Sequence, residues 1–479
     1  MSTNRRNFIK STTLGAGLFF SSIPGISNNS GFDGENFSKK FSNRPQKFNM
    51  CGYGAPKIET VRIGFIGLGM RGSGAPRRMV HIEGIEIKAL CDIQEEKVKS
   101  TQKFLQEYGL PQATEFYGKE DSWKKLCERT DIDLVYICTP WHLHTPMAVY
   151  AMNQGKHVAV EVPAAKTMEE CWELVETSEN TRKHCMMLEN CCYDFFELLT
   201  LNMTRQGLFG EIVHAEGAYI HNLVDLNFSK QGYYDMWRLK ENYRNGNLYP
   251  THGLGPICQV LNINRGDKME YLTSMSTFDF QMEAKAKELA NSDSFYSEFA
   301  NKKFRGNMNT TLIRTINGKS ILVQHDVTSL RPYSRIHLLS GTKGMAQKWP
   351  DPARISFGED WISSEEMKKL EDQHTPEIVT RIGEMAKKVG GHGGMDFMMD
   401  WRLIDCLRNG LPLDQDVYDA ALWSAIAPLS EMSVRKRSGS IDVADFTRGY
   451  WKTNKPVSLS LEGGGNTGVI SGKANRQPL

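Results

Sequence analysis

The chain has 479 residues, of which 40% are hydrophobic, and its 58 Lys and Arg residues nearly balance 56 Asp and Glu residues. This length predicts two domains, and a net charge of +2 excludes the strongly basic surface of a nucleic-acid-binding protein. The ten cysteines form no C-x-x-C pair and no Cys/His cluster with zinc spacing, so the sequence predicts no metal site and assigns no disulfide.

The first 30 residues have the pattern of an export signal. Arg5 and Arg6 precede a weakly apolar stretch, residues 12–26, which is too short and too polar to predict a stable membrane span. We therefore predict a twin-arginine signal over residues 1–30, with export of the folded protein to the periplasm or cell surface. The alternative is a disordered basic N-terminus. Residues 31–57 are polar and are predicted to form a linker or arm.

Residues 61–72 carry a dinucleotide-binding pattern. An apolar run rich in β-branched residues predicts a buried strand, which leads into the G-x-G-x-x-G turn of Gly67, Gly69 and Gly72. A second apolar run ends about twenty residues later in Asp92. In such a turn the diphosphate lies on the following helix N-terminus. Asp92 would accept from a ribose 2′-OH and repel a 2′-phosphate, so the pattern predicts NAD rather than NADP.

Helix and strand patterns alternate as far as residue 190. Helices are predicted over residues 95–108, 146–153 and 168–182, and strands over residues 131–140, 157–163 and 185–190. This alternation is typical of a doubly wound α/β sheet. It predicts an NAD-binding Rossmann domain over residues 58–190.

Strand patterns follow one another beyond residue 190. They cover residues 211–220, 270–280, 309–316, 320–327 and 335–349, with a hairpin turn predicted at Asn317-Gly318. Their period of two is typical of a sheet with one covered face. We predict an α+β substrate domain over residues 191–455 with a large, mostly antiparallel open sheet. Two late helices, near 393–409 and 415–435, should pack on it or return to the first domain, and residues 456–479 should form a flexible tail.

Residues 139–163 read TPWHLHTPMAVYAMNQGKHVAVEVP. This string resembles the T-P-x-x-x-H and A-G-K-H-V-x-x-E-K-P motifs of the glucose–fructose oxidoreductase and inositol dehydrogenase family. That resemblance implies a Rossmann domain and an open-sheet domain with the substrate against the nicotinamide between them. Two departures count against a plain dehydrogenase. Val162 replaces the lysine of E-K-P, and Leu248 replaces the aspartate of the Asp-x-x-x-His pair that ends here in His252.

Three longer strings are similar to glycoside hydrolase family 109, whose members are NAD-dependent α-N-acetylgalactosaminidases. They begin MMLENCCYDFF, WRLKENYRNGNLYPTHG and VYDAALWSAIAP. The resemblance covers nearly all of the chain after residue 58. It implies oxidation of the sugar at C3, removal of the C2 proton, elimination at C1, addition of water and return of the electrons to C3. Such a cycle needs neither the usual pair of glycosidase carboxylates nor a divalent metal.

The resemblance also implies the site residues. Its proposed catalytic groups are His252, as the proton acceptor at the 3-OH or at C2, with Tyr249 and Tyr333 as hydroxyl contacts or proton relays. The substrate contacts would be Tyr219, Arg238, Tyr249, Pro250, Thr251, His252 and Tyr333. The cofactor contacts would be Gly67, Gly69, Met70, Arg71, Gly72, Asp92, Trp141, His142, Leu143, His144, Glu161, Val162 and Asn190.

Two other functions stay open at this stage. One is an exported NAD-dependent sugar oxidoreductase, against which Val162 argues because it cannot replace the catalytic lysine. The other is a non-catalytic sugar-binding protein with structural NAD, against which the retention of His252 and its tyrosines argues. The predicted partner is a glycan with terminal α-N-acetylgalactosamine, and formation of a homo-oligomer is left open.

Overall fold

The computed structural model describes residues 45–470, so the predicted twin-arginine signal and most of the predicted arm lie outside the described residues. Six parallel strands form the first sheet in the order β3-β2-β1-β4-β5-β6. The strands are β1 (Val61–Ile66), β2 (Ile85–Asp92), β3 (Thr114–Tyr117), β4 (Leu134–Ile137), β5 (His157–Val160) and β6 (Cys185–Met187). This arrangement confirms the predicted Rossmann fold.

Helices cover the first sheet. They are α1 (Gly74–Met79), α2 (Glu95–Glu107), α3 (Ser122–Cys127), α4 (Trp141–Asn153) and α5 (Met168–Thr181). Strands β4, β5 and β6 are buried along their whole length, which is why their sequences are continuous apolar runs. The sequence pattern missed β3 and α3, which are short and partly exposed. Helix α4 begins at Trp141, five residues earlier than predicted, because Pro146 lies inside the helix rather than at its start.

The second sheet has eight strands in the order β13-β12-β11-β7-β10-β9-β8-β14. They are β7 (Ile212–Ile220), β8 (Met269–Ser276), β9 (Asn309–Thr315), β10 (Ser320–Asp326), β11 (Leu338–Gly341), β12 (Met345–Gln347), β13 (Arg354–Ser356) and β14 (Ile441–Asp442). Only β7 and β10 pair in parallel, so the sheet is mostly antiparallel, as predicted. Gly318 has φ +83° in the predicted turn between β9 and β10. The strand predicted over residues 335–349 is the hairpin of β11 and β12.

Between residues 191 and 470, the chain forms nine further α-helices. They are α6 (Phe195–Arg205), α7 (Val224–Asn227), α8 (Trp237–Glu241), α9 (Thr251–Val260), α10 (Met282–Ser292), α11 (Ser364–His374), α12 (Glu377–Val389), α13 (Met395–Asn409) and α14 (Val417–Arg435). The two predicted late helices are α13 and α14. Helix α14 joins the domains, because the Ser424 hydroxyl accepts from the Ala164 N–H and the Ser433 hydroxyl accepts from the Ser274 N–H.

The end of the described chain differs from the predicted flexible tail. Thr467 is fully buried, and its carbonyl accepts from the Trp401 indole at 3.1 Å. The Ile470 N–H donates to the His81 carbonyl at 2.8 Å. Gly465 has φ +72° and donates its N–H to Asp405 at 2.9 Å. Residues 465–470 therefore pack against α13 and the first domain, and residues 471–479 of the predicted tail lie outside the described residues.

Between residues 45 and 470, no helix combines the length and the apolar character that a membrane crossing requires.

Candidate active site

The glycine-rich turn has the shape that a dinucleotide requires. Gly67 has φ +86°, and a Cβ there would lie 2.6 Å from the Cys138 carbonyl oxygen. A Cβ at Gly72 would lie 1.9 Å from the Gly67 carbonyl oxygen. In contrast, a Cβ at Gly69 would meet no protein atom within 4 Å, so open space lies in front of this residue. The residues therefore fit a bound diphosphate at Gly69.

Asp92 ends β2 beside this turn. Its carboxylate accepts from the Leu68 N–H at 2.6 Å and from the Gln94 N–H at 2.9 Å. Burial raises the pKa of Asp92 above its usual value, although these two N–H groups pull in the opposite direction. The carboxylate is placed where a ribose attached to the diphosphate would reach it.

Arg71 links three of the predicted cofactor residues through a carboxylate that the sequence analysis did not single out. Its guanidinium donates to Glu161 at 2.7 Å and to both oxygens of Asp396, at 2.5 and 3.0 Å. Asn190 donates its amide to the same Asp396 at 2.6 Å. Burial would raise the pKa of Asp396, but the hydrogen bond from His392 and the charge of Arg71 hold it well below its usual value. Met70 is exposed on the same turn.

Asp396 follows a G-G-H-G-G loop, residues 390–394, in which every residue has positive φ. The side chain of His392 in this loop is 55% exposed. Its Nδ1 lies 2.9 Å from Asp396 and 3.0 Å from the Arg71 guanidinium. The loop thus places an accessible imidazole at the mouth of the predicted cofactor site. The glycine run around His392 was the sequence signal that could have identified it.

Residues 141–144 form the first turn of α4, and their side chains have different environments. Trp141 is buried and stacks on Tyr249, with ring centroids 5.6 Å apart. His144 is buried, and its two ring nitrogens each lie 2.7 Å from a backbone carbonyl, of Thr139 and of Pro163. Its ring therefore joins two loops and has no nitrogen left for a cofactor. His142 is exposed, Leu143 is half-buried and Val162 is buried.

His252 has an acidic partner that the sequence analysis missed. Its Nδ1 lies 2.7 and 2.9 Å from the two carboxylate oxygens of Glu189, which is fully buried at the end of β6. Burial would raise the pKa of Glu189, but the charge and hydrogen bond of His252 lower it overall. When the His252 ring is neutral, the ionised Glu189 holds its proton on Nδ1, and Nε2 then carries the lone pair. The Tyr249 hydroxyl lies 3.4 Å from that Nε2.

Two glycines bring His252 against the second sheet. A Cβ at Gly217 on β7 would lie 2.4 Å from the Gly253 carbonyl oxygen, and a Cβ at Gly253 would lie 2.2 Å from the Ala218 nitrogen. Helix α9 therefore packs directly on the β7 backbone. Pro250 and Thr251, both buried, lead the chain into this helix.

The predicted tyrosines lie together beside His252. The Tyr219 ring centroid is 4.7 Å from that of Tyr249, 5.3 Å from that of His252 and 6.2 Å from that of Tyr333. Burial raises the pKa of Tyr219 to about 12 and that of Tyr249 well above its usual value. The phenols are therefore neutral near pH 7, and each has a hydroxyl proton to donate.

Arg238 closes the other side of this cluster. Its guanidinium lies 5.1 Å from the ring centroids of Trp141 and Tyr249 and 5.5 Å from that of Tyr233. It is carried by α8, in a part of the chain that has its own apolar cluster of buried residues, Phe228, Met236, Leu239, Met282, Ala286, Tyr296, Phe299 and Phe304. Arg238, His252 and the three predicted tyrosines thus form one cluster against Trp141 of the first domain. This cluster, at the junction of the two domains, is called the cleft below.

Comparisons with known proteins agree with this architecture. Residues 61–189 match the model of an oxidoreductase family with an NAD-binding Rossmann fold. Residues 193–453 match the model of the glycosyl hydrolase 109 C-terminal domain. Among solved structures, the chain is similar to levoglucosan dehydrogenase with NADH and levoglucosan, at TM-score 0.59 and 16% identity over 81% of this chain and 100% of that one. The aldose–aldose oxidoreductase of Caulobacter crescentus gives TM-score 0.57 and 15% identity over 80% and 100%. At these identities the likeness shows the fold.

Closer relatives extend over both domains. Glycosyl hydrolase family 109 protein 2 of Phocaeicola vulgatus is 51% identical over 415 residues, which cover 85% of this chain and 99% of that protein. The α-N-acetylgalactosaminidase of Bacteroides fragilis is 52% identical over 415 residues, covering 85% and 97%. Since half of the residues are identical over nearly the full length of these relatives, and both domain models match in order, the chain belongs to glycosyl hydrolase family 109, a family of glycoside hydrolases built here on an NAD-binding Rossmann domain.

Proposed function

We propose that this glycoside hydrolase cleaves terminal α-linked N-acetylgalactosamine by an NAD-dependent cycle of oxidation, elimination, addition and reduction. The observation that carries the proposal is the pairing of His252 with the fully buried Glu189, which occupies Nδ1 and leaves Nε2 on the side of the Tyr249 hydroxyl, 3.4 Å away. The activity of the half-identical relative from Bacteroides fragilis supports the choice of sugar.

Asp92 supports NAD over NADP as the cofactor of this cycle. A 2′-phosphate would lie against its carboxylate, whereas a 2′-OH can donate to it. When bound, NAD supplies reversible oxidation at C3 of the sugar, which makes the neighbouring C2–H acidic. The chain must then hold the sugar, remove a proton and return one.

His252 is suited to remove the proton. Glu189 occupies its Nδ1, so the basic Nε2 faces the cleft, and the carboxylate stabilises the positive ring that forms after proton transfer. The Tyr249 hydroxyl, 3.4 Å from Nε2, can relay a proton between the ring and a sugar oxygen.

The cluster around Arg238 is suited to hold the sugar. The Arg238 guanidinium, which packs on the stacked rings of Trp141 and Tyr249, offers donors to sugar hydroxyls or the acetamido carbonyl. Tyr219 and Tyr333 add neutral hydroxyls.

Elimination also requires a proton for the departing C1 oxygen. We assign this role to His392, the accessible imidazole on the glycine-flanked loop.

The test is to incubate the purified protein with nitrophenyl α-N-acetylgalactosaminide without added NAD, and to repeat the reaction with substrate deuterated at C2. We expect release of nitrophenol and replacement of the C2 deuterium by solvent hydrogen, measured by NMR of the product. Deuterium should be measured at C2 in both the product and the recovered substrate, at several points of the time course. If hydrolysis proceeds while all of the deuterium is retained, displacement at C1 is favoured over elimination. His252→Ala, which should retain NAD but lose turnover, is the matched variant.

The alternatives give different results in the same experiment. A sugar oxidoreductase would change the nicotinamide absorbance in proportion to sugar consumed, without releasing nitrophenol. A non-catalytic binding protein would bind the sugar and release nothing.

Export by the twin-arginine route is a separate part of the proposal. It rests on Arg5 and Arg6 of the sequence. Replacing both with lysine should retain the protein in the cytoplasm, as measured by cell fractionation, and an unchanged extracytoplasmic amount would rule the route out.

A further inference from the structure

Three side chains that can bind a metal lie close together on the Nδ1 side of the His252 ring. The carboxylate of Glu189, the thiol of Cys191 and the imidazole of His252 have ligand atoms that all lie within 4.8 Å of one another. The short turn after β6 places Cys191 two residues beyond Glu189, and the Cys191 N–H donates to the Glu189 carboxylate at 3.1 Å. Helix α9 then brings the His252 ring onto the same carboxylate at 2.7 Å.

The chemistry of this donor set selects among metals. Open zinc sites take three protein ligands, drawn from thiolates, imidazoles and carboxylates, and leave a fourth position for water. This cluster supplies one ligand of each type. Mg²⁺ and Ca²⁺ prefer oxygen ligands throughout and gain nothing from the thiol or the ring. The surroundings restrict entry of an ion, since Glu189 and Cys191 are buried and the side chain of His252 is only 14% exposed.

We propose that Zn²⁺, or the softer Cd²⁺, binds Glu189, Cys191 and His252 and inhibits the enzyme reversibly. The inhibitory effect rests on the proposed role of His252, whereas the binding itself does not. In the metal-free protein the Glu189–His252 hydrogen bond occupies the site, so the metal is an inhibitor that competes with this bond and not a cofactor that the reaction needs.

The reason for inhibition is the tautomer of His252. A metal bound at Nδ1 takes the place of the Nδ1 proton, and the neutral ring then carries its proton on Nε2. The thiol of Cys191 loses its proton to solvent as the metal–sulfur bond forms, so binding releases one proton overall. With a proton on Nε2, His252 has no lone pair facing the cleft and cannot act as a base there.

The experiment uses the whole protein with its bound nucleotide and two matched variants. Cys191→Ser removes the sulfur ligand, while its hydroxyl can keep the 3.5 Å hydrogen bond to the Asn190 amide oxygen. Cys192→Ser removes a neighbouring buried thiol that is not part of the three-ligand group. Binding of Zn²⁺ is measured by equilibrium dialysis, and Co²⁺ is used as a spectroscopic probe of thiolate coordination. Activity is assayed with and without Zn²⁺, then after addition of a chelator.

We expect one Zn²⁺ per chain in the wild-type protein and in Cys192→Ser, with a near-ultraviolet thiolate-to-cobalt band in both. Cys191→Ser should lack the band, bind Zn²⁺ at least about tenfold more weakly and keep its activity at Zn²⁺ concentrations that inhibit the wild type. Equal Zn²⁺ binding by Cys191→Ser, or no cobalt–thiolate band in the wild type, would overturn the proposal. If the protein had no glycosidase activity at all, the binding and spectroscopic results would still decide the metal site.

Discussion

The contact with Glu189 determines which ring nitrogen of His252 carries the proton in the neutral form. In the related motif the histidine has an aspartate four residues before it, and Leu248 at that position left His252 without an acid in the sequence. In the structure, the buried carboxylate of Glu189, which follows β6, lies 2.7 Å from Nδ1 of His252. Under the proposed mechanism, this contact keeps the proton of the neutral ring on Nδ1, so that Nε2 can act as the base.

Glu189→Gln should therefore lower turnover strongly while the nucleotide stays bound. The amide keeps the size of the carboxylate, but it neither stabilises the charged ring nor enforces the Nδ1 tautomer. Loss of a positioned base costs about 10²–10⁴-fold in rate. Turnover and nucleotide content should be measured side by side, with Glu211→Gln on the exposed surface as control. Near-normal turnover of Glu189→Gln would remove the pair from the mechanism.

Asp92 should decide which nucleotide the protein carries. Replacing it with serine removes a charge that repels a 2′-phosphate and retains a hydroxyl for hydrogen bonding. We expect the affinity for NADP relative to NAD to rise at least about tenfold. The nucleotide released by denaturation should be NAD from the wild type and from a control, Glu96→Gln, on the exposed face of α2. Recovery of mainly NADP from the wild type would contradict the role of Asp92.

At the scale of elements, two glycines of the dinucleotide-binding turn have different roles: Gly72 is required for stability, and Gly69 for nucleotide binding. Gly72→Ala should destabilise the fold by about 1–3 kcal/mol or more, because its Cβ would lie 1.9 Å from the Gly67 carbonyl oxygen. Gly69→Ala should leave stability within about 0.5 kcal/mol of the wild type, because open space faces it, yet it should reduce nucleotide content. Urea unfolding and nucleotide release measure the two effects. If Gly69→Ala keeps a full complement of nucleotide, the diphosphate does not lie at this turn.

Helix α6 is joined to the segment that carries Tyr333 by a buried charge cluster. Arg335 donates to Asp194 and to Glu197 at 2.7 Å each, and Lys348 pairs with the same two carboxylates. Burial and the neighbouring Asp194 raise the pKa of Glu197 to about 7, whereas Arg335 and Lys348 act in the opposite direction. The cluster holds the segment next to the cleft, where the Arg335 guanidinium lies 3.4 Å from the Tyr333 hydroxyl.

Arg335→Met should destabilise the protein by about 3 kcal/mol, because it leaves two buried carboxylates with one cation. Arg335→Lys retains the charge and should lose less. Urea unfolding at pH 7.5 provides the measurement for both variants. If Arg335→Met lowers the free energy of unfolding by less than about 1 kcal/mol, the charge cluster contributes little to the packing of α6 against this segment.

For the whole molecule, two buried histidines predict sensitivity to acid. His157 and His184 are 4% and 3% exposed, with ring centroids 5.2 Å apart, and Tyr53 of the N-terminal arm lies 5.4 Å from His184. Burial lowers the pKa of His184 to about 4 and that of His157 well below its usual value. Both are neutral in the folded protein at pH 5 to 7, whereas in the unfolded chain they take up protons below about pH 6.5.

Stability should therefore be complete above about pH 6.5 and should fall as the pH drops from there toward 4, because the unfolded state binds more protons in this range. The loss is up to about 1.4 kcal/mol per pH unit for each histidine. Thermal unfolding at pH 7 and pH 5 should show a smaller difference for His184→Phe than for the wild type. His214→Phe, on the second sheet, is the control and should retain the wild-type difference. An equal difference in all three proteins would contradict the role of His184.

Local patterns in the sequence predicted the cofactor turn and most of the strands of the first domain. The strand β1, the three glycines and Asp92 belong to one βαβ unit, and their geometry follows from backbone sterics and short-range spacing. The hairpin at Asn317-Gly318 follows for the same reason, since only the turn conformation matters there. Family motifs then indicated His252, Arg238 and the tyrosines, which the structure brings into one cleft.

Only the tertiary structure decided which groups act on those residues. Glu189 and His252 are 63 residues apart, and Arg71 and Asp396 are 325 residues apart, so no local period or spacing links either pair. The same holds for the parallel pairing of β7 with β10 and for the packing of the glycine-rich end against Trp401. A pattern in the sequence indicates the conformation and the burial that each residue prefers. Which distant residue it contacts depends on how the helices and sheets pack. That packing sets the charge and the tautomer of each group in the cleft.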